Sequence, residues 1–360
     1  MSGSRSVEID ADALSKLVSS IFVQHGLSES AANQVARGLV DADAEGLHSH
    51  GVMLLEMYVE RLRAGSVLTK SKAEIVSDRL GALVLDAGNA LGHLTGDQAM
   101  EICVERAKKF GVAAVAVRHG FHFGTARRFA VAATEQDCIG IAMCNTRPLM
   151  PAPGGAERVV GNNPLAIAIP TDGDIPIALD MATSEAAMGK IRMAAKSGEQ
   201  IPKTWAVSSD GSPTTDPQEA IAGMLLPMAG PKGFGLSFVI DLMCGLLSGG
   251  AFGKNVQPLY GDPAVPYDCS HFFMAIDISA FVSPAIFRAL SAEAAKAIRQ
   301  GAKAPGIERI YTPGEPEWQR RAHSKDRITL NEDVVRSLEK LAQDAGIDVS
   351  VLNQNQASGG

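Results

Sequence analysis

The chain has 360 residues, with 33 Lys+Arg against 40 Asp+Glu, a formal net charge of -7, and 46% hydrophobic residues. That size and apolar content predict a soluble protein of two or three lobes with ample core. The scattered basic residues form no stripe able to neutralise a phosphate backbone, so nucleic acid is not expected as a partner.

The cysteines, Cys103, Cys138, Cys144, Cys244 and Cys269, are odd in number and contain no CxxC pair. This argues against a disulfide framework and a thiolate zinc site, and fits a reducing cytoplasm. Residues 1–10 carry charge and lack an apolar stretch of signal-peptide length. Asp10 then precedes Leu14, Leu17, Val18, Ile21 and Phe22 at helical spacing, with Gly26 closing that helix. Ser28 caps a second helix bearing Val35 and Leu39. Ser49 reads as the cap of a third helix reaching Gly65, which completes a helical N-terminal lobe.

From Ala73 the pattern changes to short strands at 74–76 and 82–85, a helix capped by Thr95 and ending at Gly111, and a buried strand at 112–117. His122 falls in the loop beyond that strand, where α/β proteins place chemistry. Stretches 139–144, 165–169 and 175–179 add strands to a mixed sheet, the last two as a hairpin. Asp180-Met181-Ala182-Thr183-Ser184 is expected to leave its strand and enter a helix through Lys190, offering N–H groups to an anionic ligand. Gly230-Pro231-Lys232-Gly233-Phe234-Gly235 turns into an apolar helix at 234–247. That helix is too short to cross a bilayer and holds Asp241 and Gly245, so it is expected to be buried, and no membrane partner is expected. The glycine spacing is not the dinucleotide fingerprint of a Rossmann fold. Ser283-Pro284 starts a helix towards Gln300, Asn331 caps the last helix near Gly346, and the tail 347–360 is expected to be disordered.

Histidine carries the chemistry. His50, placed in the first turn of a helix capped by Ser49, would be held neutral by the helix dipole and serve as a base. His50, Leu54 and Tyr58 at four-residue spacing would offer a base, an apolar group and a phenol on one face. A competing expectation is a metal-dependent hydrolase, with His48, His50 and His122 as imidazole ligands and Asp180 nearby.

Ser49-His50-Gly51, His122-Phe123-Gly124, Gly161-Asn162-Asn163-Pro164, the run from Leu179 to Ser184, Lys232-Gly233 and Pro313-Gly314-Glu315 together resemble the type 2 malate/L-lactate dehydrogenase family. The resemblance implies an α/β, non-Rossmann fold with a mixed sheet. It implies a helical lobe at 9–72, a discontinuous dimerisation lobe at 73–122 with 300–346, and a central NAD(P)-binding domain at 123–299. It also implies a cytoplasmic homodimer with the active site near the subunit interface, no metal, and NAD or NADP as cofactor. The reaction implied is hydride transfer to or from a 2-oxo acid, a 2-hydroxy acid or a cyclic imine carboxylate.

Carried onto this sequence, the family's proton donor falls on His50, with His122 assigned that role in some members and Asp180 as the acidic partner. Cofactor contacts fall on His122, Thr146, Gly161, Asn163, Asp180, Met181, Ala182, Thr183, Lys232, Gly233, Gly314 and Glu315. Substrate contacts fall on Ser49, Leu54, Tyr58 and Arg147. The family commonly has an arginine for the substrate carboxylate where this chain has Leu54, so Arg127, Arg128 or Arg147 is expected to replace it.

Overall fold

The first helices form where side chains close their opening turns. The computed structural model describes residues 6–173, 175–324 and 326–352. In it Asp10 ends strand β1 (Ser6–Asp10) and accepts from the Ala13 N–H to cap α1 (Ala11–Gln24). Ser28 does the same for Ala31 at the head of α2 (Glu29–Ala44).

The third helix departs from expectation. His48–His50 and Val52–Leu54 are single 3-10 turns either side of an extended Gly51, and α3 spans only Leu55–Ala64. Ser49 caps nothing; its hydroxyl lies 3.0 Å from His50 Nδ1. The cause is Asp43, near the end of α2, whose carboxylate accepts the Val52 N–H at 2.7 Å and holds His48 Nδ1 at 2.9 Å. A Cβ on Gly51 would stand 2.3 Å from that carboxylate, so only glycine lets the chain pass. His50 therefore has no helix dipole to thank for its neutrality.

The chain continues through β2 (Glu74–Arg79), β3 (Ala82–Asp86), α4 (Gly92–Phe110), β4 (Val112–Gly120), α5 (Ala126–Thr134) and β5 (Cys138–Cys144). Thr95, expected as a cap, lies fully buried within α4, which begins earlier. Strands β6 (Leu165–Ile169) and β7 (Ile177–Met181) form the expected hairpin. A small lobe follows, with α6 (Met188–Ser197), β8 (Ala206–Val207), α7 (Pro217–Ala222) and β9 (Met224–Leu225) around its own core. Then come α8 (Pro231–Ser248), β10 (Cys269–Asp277), α9 (Pro284–Arg299), α10 (Glu315–Ser324), β11 (Arg327–Asn331) and α11 (Glu332–Asp344), the last capped by Asn331 as expected.

The main sheet has the order β2-β3-β4-β10-β5-β6-β7, with only β3 and β4 parallel. Its middle strand, β10, escaped the sequence reading because it is buried along nearly its whole length and shows no polar alternation. The sheet takes strands from both sides of residue 122, and one hydrophobic core joins it to the N-terminal helices.

Three further expectations change. Asp180 and Met181 finish β7, and α6 starts only at Met188, so residues 180–184 are not a helix entrance. Helix α8 has 18 residues, long and apolar enough by length and composition to cross a bilayer. Its inner face instead packs on the sheet, and Asp241 accepts from Asn145 Nδ2 at 3.0 Å and from the Gly253 N–H at 2.9 Å. Nor is it buried all round, since Phe238, Val239, Leu246 and Leu247 are exposed. Finally, Ile347 and Val349 pack against the main core and Leu352 lies in it, so this part of the expected tail is not loose, while the remainder, 353–360, lies outside the described residues.

Candidate active site

Beyond the end of β4 the chain turns through Phe121, His122, Phe123 and Gly124. Phe121 packs edge-on against Tyr58 of α3, with ring centroids 5.2 Å apart, which brings the loop to the first lobe. Tyr58 Oη lies 2.6 Å from His122 Nδ1, and the Gly124 N–H donates to the same nitrogen at 3.4 Å. Two donors on Nδ1 place the neutral ring's proton on Nε2. The His50 ring stacks on His122 at 5.6 Å and 23°.

Burial, then the like charge of His50 and of His271, holds His122 down to about 3, and burial also lowers His50. Near pH 7 both rings are neutral, and their proximity favours at most one proton on the pair. Behind them His93 is fully buried with neither ring nitrogen partnered; burial, then Arg128, keeps it well below the ordinary range.

Asp180 does not touch either histidine. It accepts the Arg127 N–H at 3.1 Å, and the Arg127 guanidinium pairs with Glu45 and lies over Trp318. Solvent reaches Asp180, yet protein crowds round it in the cleft, and that desolvation raises its carboxyl to about 6 against the opposing Arg127. The expectation that it orients His50 gives way: Ser49 and Tyr58 are the groups bonded to the two imidazoles. Leu54 is corrected too, being 2% exposed within the main core rather than in the cleft.

The residues expected to hold a dinucleotide converge, although several are spent on one another. The Thr146 N–H donates to Asn163 Oδ1 at 2.8 Å, Asn163 Nδ2 donates to the Ser237 carbonyl, and the Ser237 hydroxyl donates to the Gly161 carbonyl. Asn163, fully buried, therefore has its amide engaged inside the wall. The Asn162 carbonyl accepts the Thr183 N–H, and Met228, bonded to the Thr183 carbonyl, accepts from the Gly233 N–H. The strand end at Asp180 and Met181, with Ala182 beside it, thus reaches the head of α8. Gly314, at φ 80°, lies over β7, where a Cβ would meet the Ala178 carbonyl at 2.6 Å. Glu315 is corrected as a ligand group: its buried carboxylate is taken up by Arg299, Arg309 and Thr312.

Two groups in this wall are unspent. The Thr183 hydroxyl is buried without a partner, and Lys232, exposed in the first turn of α8, has no ion pair among the described residues. A hydroxyl, an ammonium and a helix head suit the phosphates and hydroxyls of a dinucleotide. A cavity of about 670 Å³ opens beside Gly230 and Pro231, and no histidine lines it.

Arg147 is the third unspent group. Half-buried and without a carboxylate partner among the described residues, it is lowered by burial and then by Arg158, with Tyr267 opposing. Tyr267, whose charge acts on Arg147, packs on Phe121, the residue before His122. The sequence reading overlooked Arg61, which is 1% exposed and donates to the carbonyls of Pro258, Leu259 and Val265, fastening the loop that carries Tyr260. It overlooked Asp43 as well, whose only local signal was a carboxylate five residues before His48. The metal-hydrolase expectation fails on geometry, since His48 turns to Asp43 and is 59% exposed, and no cluster able to hold a metal contains His48, His50 or His122 among the described residues.

A neutral histidine pair, and a guanidinium and an ammonium with no ion pair among the described residues, are groups able to move protons and to hold anions. Residues 9–339 match the malate/L-lactate dehydrogenase family model. Malate dehydrogenase of Pyrococcus abyssi is 35% identical over 95% of this chain and 96% of its own. Ureidoglycolate dehydrogenase (NAD(+)) of Escherichia coli strain K12 is 34% identical over 92% and 95%. The solved sulfolactate dehydrogenase of Methanocaldococcus jannaschii superposes with a TM-score of 0.90 at 33% identity, covering 95% of this chain and 98% of that one. The chain belongs to the malate/L-lactate dehydrogenase family, whose members are nicotinamide-dependent oxidoreductases.

Proposed function

We propose that this chain interconverts a small 2-hydroxy acid and its 2-oxo acid, or reduces a cyclic imine bearing the same carboxylate, with His50 as acid and base. The observations that carry this reading are the stacked, neutral His50–His122 pair and an Arg147 with no carboxylate partner among the described residues. When bound, NAD or NADP supplies or accepts the hydride at C4 of its nicotinamide. Thr183, Lys232 and the backbone of Met181, Ala182 and Gly314 would hold it.

Arg147 binds the substrate carboxylate, a role that suits a guanidinium with no internal partner. His122, with Nδ1 occupied by Tyr58 and Gly124, keeps its proton on Nε2 and donates a hydrogen bond to the substrate oxygen as charge develops there. His50, less confined, takes a proton from solvent past Ser49 at Nδ1, gives it as imidazolium to the forming hydroxyl in reduction, and as neutral imidazole takes the hydroxyl proton in oxidation. Asp180 orders the start of α5 through the Arg127 N–H, so it positions the wall rather than relaying the proton.

The same reading places the enzyme in the cytoplasm as a homodimer. The support is apolar surface: Phe238, Val239, Leu246 and Leu247 on α8, and Ile286, Leu290 and Ile298 on α9, are each at least 46% exposed. A second copy covering α8 would stand near Lys232 and hence near the site. Assaying 2-oxo acids and cyclic imines with NADH and NADPH, by loss of nicotinamide absorbance, tests the chemistry. Turnover of none of them would sink it, and a monomer by light scattering would remove the dimer.

A further inference from the structure

Directly behind the catalytic loop, the middle of the sheet holds two thiols and an imidazole that the reaction does not use. On β5 and β10, Cys144 and His271 face each other as cross-strand partners, and Cys269 precedes His271 by two residues across a bulge. Both sulfur atoms and the histidine nitrogen lie within 4.8 Å of one another, and Cys269 Sγ is 3.2 Å from His271 Nε2. All three residues are sealed from solvent, at 0–3% exposure, and both thiols are free. The sequence offered no sign of this cluster, because its members are brought together by strand pairing, not by CxxC spacing.

We propose that Cys144, Cys269 and His271 form a binding site for a soft, thiophilic d10 metal ion, copper(I) or zinc(II). Thiolate and imidazole donors are the set such ions prefer over hard cations. Converging donors on adjacent strands need no rearrangement of the backbone to close on an ion. Binding releases thiol protons: one thiolate would neutralise copper(I) inside the low-dielectric core, and two would neutralise zinc(II).

The site would act on the enzyme through packing. His271 stacks flat on Phe123, with centroids 4.6 Å apart and 10° between planes, and Phe123 follows His122 in the chain. An ion on Nε2 fixes the ring that backs the catalytic loop. It is not needed for hydride transfer, and the metal-free enzyme should turn over.

Reduced, purified enzyme is titrated anaerobically with copper(I) or zinc(II) against a chromophoric competitor, then desalted and analysed for metal. About one equivalent should be retained, with about two sulfur and one nitrogen scatterers near the ion by X-ray absorption of the wild-type protein. Cys144→Ser and Cys269→Ser should each abolish retention, whereas Cys103→Ser, a buried thiol on α4, should keep it. Retention of copper alone or of zinc alone identifies the ion. The proposal is overturned if neither ion is retained, if retention survives both serine variants, or if X-ray absorption finds no sulfur. Denatured, metal-stripped enzyme with only three titratable thiols would overturn it too, by showing a disulfide in place of the five free cysteines.

Discussion

Arg61 and Arg147 both act on Tyr267 and have opposite fates. Arg61, almost wholly buried, has its guanidinium saturated by backbone carbonyls of a single loop and by Ser66. Arg147, only half buried, has no such partners and is lowered by burial and like charge. Glu315 and Asp180 repeat the contrast among the acids: one carboxylate is consumed by two arginines and a threonine, the other accepts a single backbone N–H. A folded chain satisfies the polar groups it needs for itself. Those left unsatisfied at a cleft are the ones available to a ligand.

The largest effect should come from exchanging the fates of the two arginines. Arg61→Met strips donors from buried carbonyls and should cost roughly 3–5 kcal/mol of stability, read as a lowered urea midpoint. Arg147→Met should leave the midpoint unchanged or raised while kcat/KM for 2-oxo acids falls by about a hundredfold, close to 3 kcal/mol. If Arg147→Met unfolds the enzyme and Arg61→Met merely impairs catalysis, the contrast is inverted.

Lys232→Ala extends the test to the head of α8. Loss of one exposed ammonium should weaken NAD(P)H binding by roughly tenfold, about 1.4 kcal/mol, with melting unaltered. Fluorescence titration of the reduced nicotinamide reads it, and an unchanged dissociation constant removes Lys232 from the site.

A smaller effect follows from the buried imidazoles. His50, His93 and His122 are lowered in the folded protein, so the unfolded chain takes up protons first. Their stabilising contribution is complete above about pH 7 and is lost as pH falls through the unfolded value of 6.5, by up to about 1.4 kcal/mol per pH unit for each. Asp180, raised to about 6, has the opposite sign: its contribution is present at low pH and lost as pH rises through that value. The net fall should set in near pH 7 and be steeper between about pH 6 and 5. Urea midpoints across that range should drop, less so in His122→Asn, and a flat profile would contradict the neutral histidine cluster.

Much of the fold was legible where its signals are local. Asp10, Ser28 and Asn331 cap helices through bonds three residues long, and β6 with β7 makes a hairpin. What could not be read depends on distant partners. Ser49 has the composition of a cap, but Asp43 breaks the helix by taking the Val52 N–H. Strand β10 exists because β4 and β5 flank it. In the site, His50, His122, Lys232 and Arg147 were visible as residue types in motifs. Which polar groups are spent was not: Asn163 and Glu315 look as available in sequence as Thr183 and Asp180. Leu54 stood in the family's arginine position, and packing placed it in the core.

Kinetics of His50→Gln beside His122→Gln tests the central claim most directly. Glutamine can keep an N–H donor but cannot carry the reacting proton. His50→Gln should lower kcat by at least about a hundredfold and abolish the histidine limb of the pH profile, whereas His122→Gln should retain more than about a tenth of kcat with that limb intact. The reverse ranking, with the pH limb lost in His122→Gln and kept in His50→Gln, would contradict the account and transfer the proton to His122.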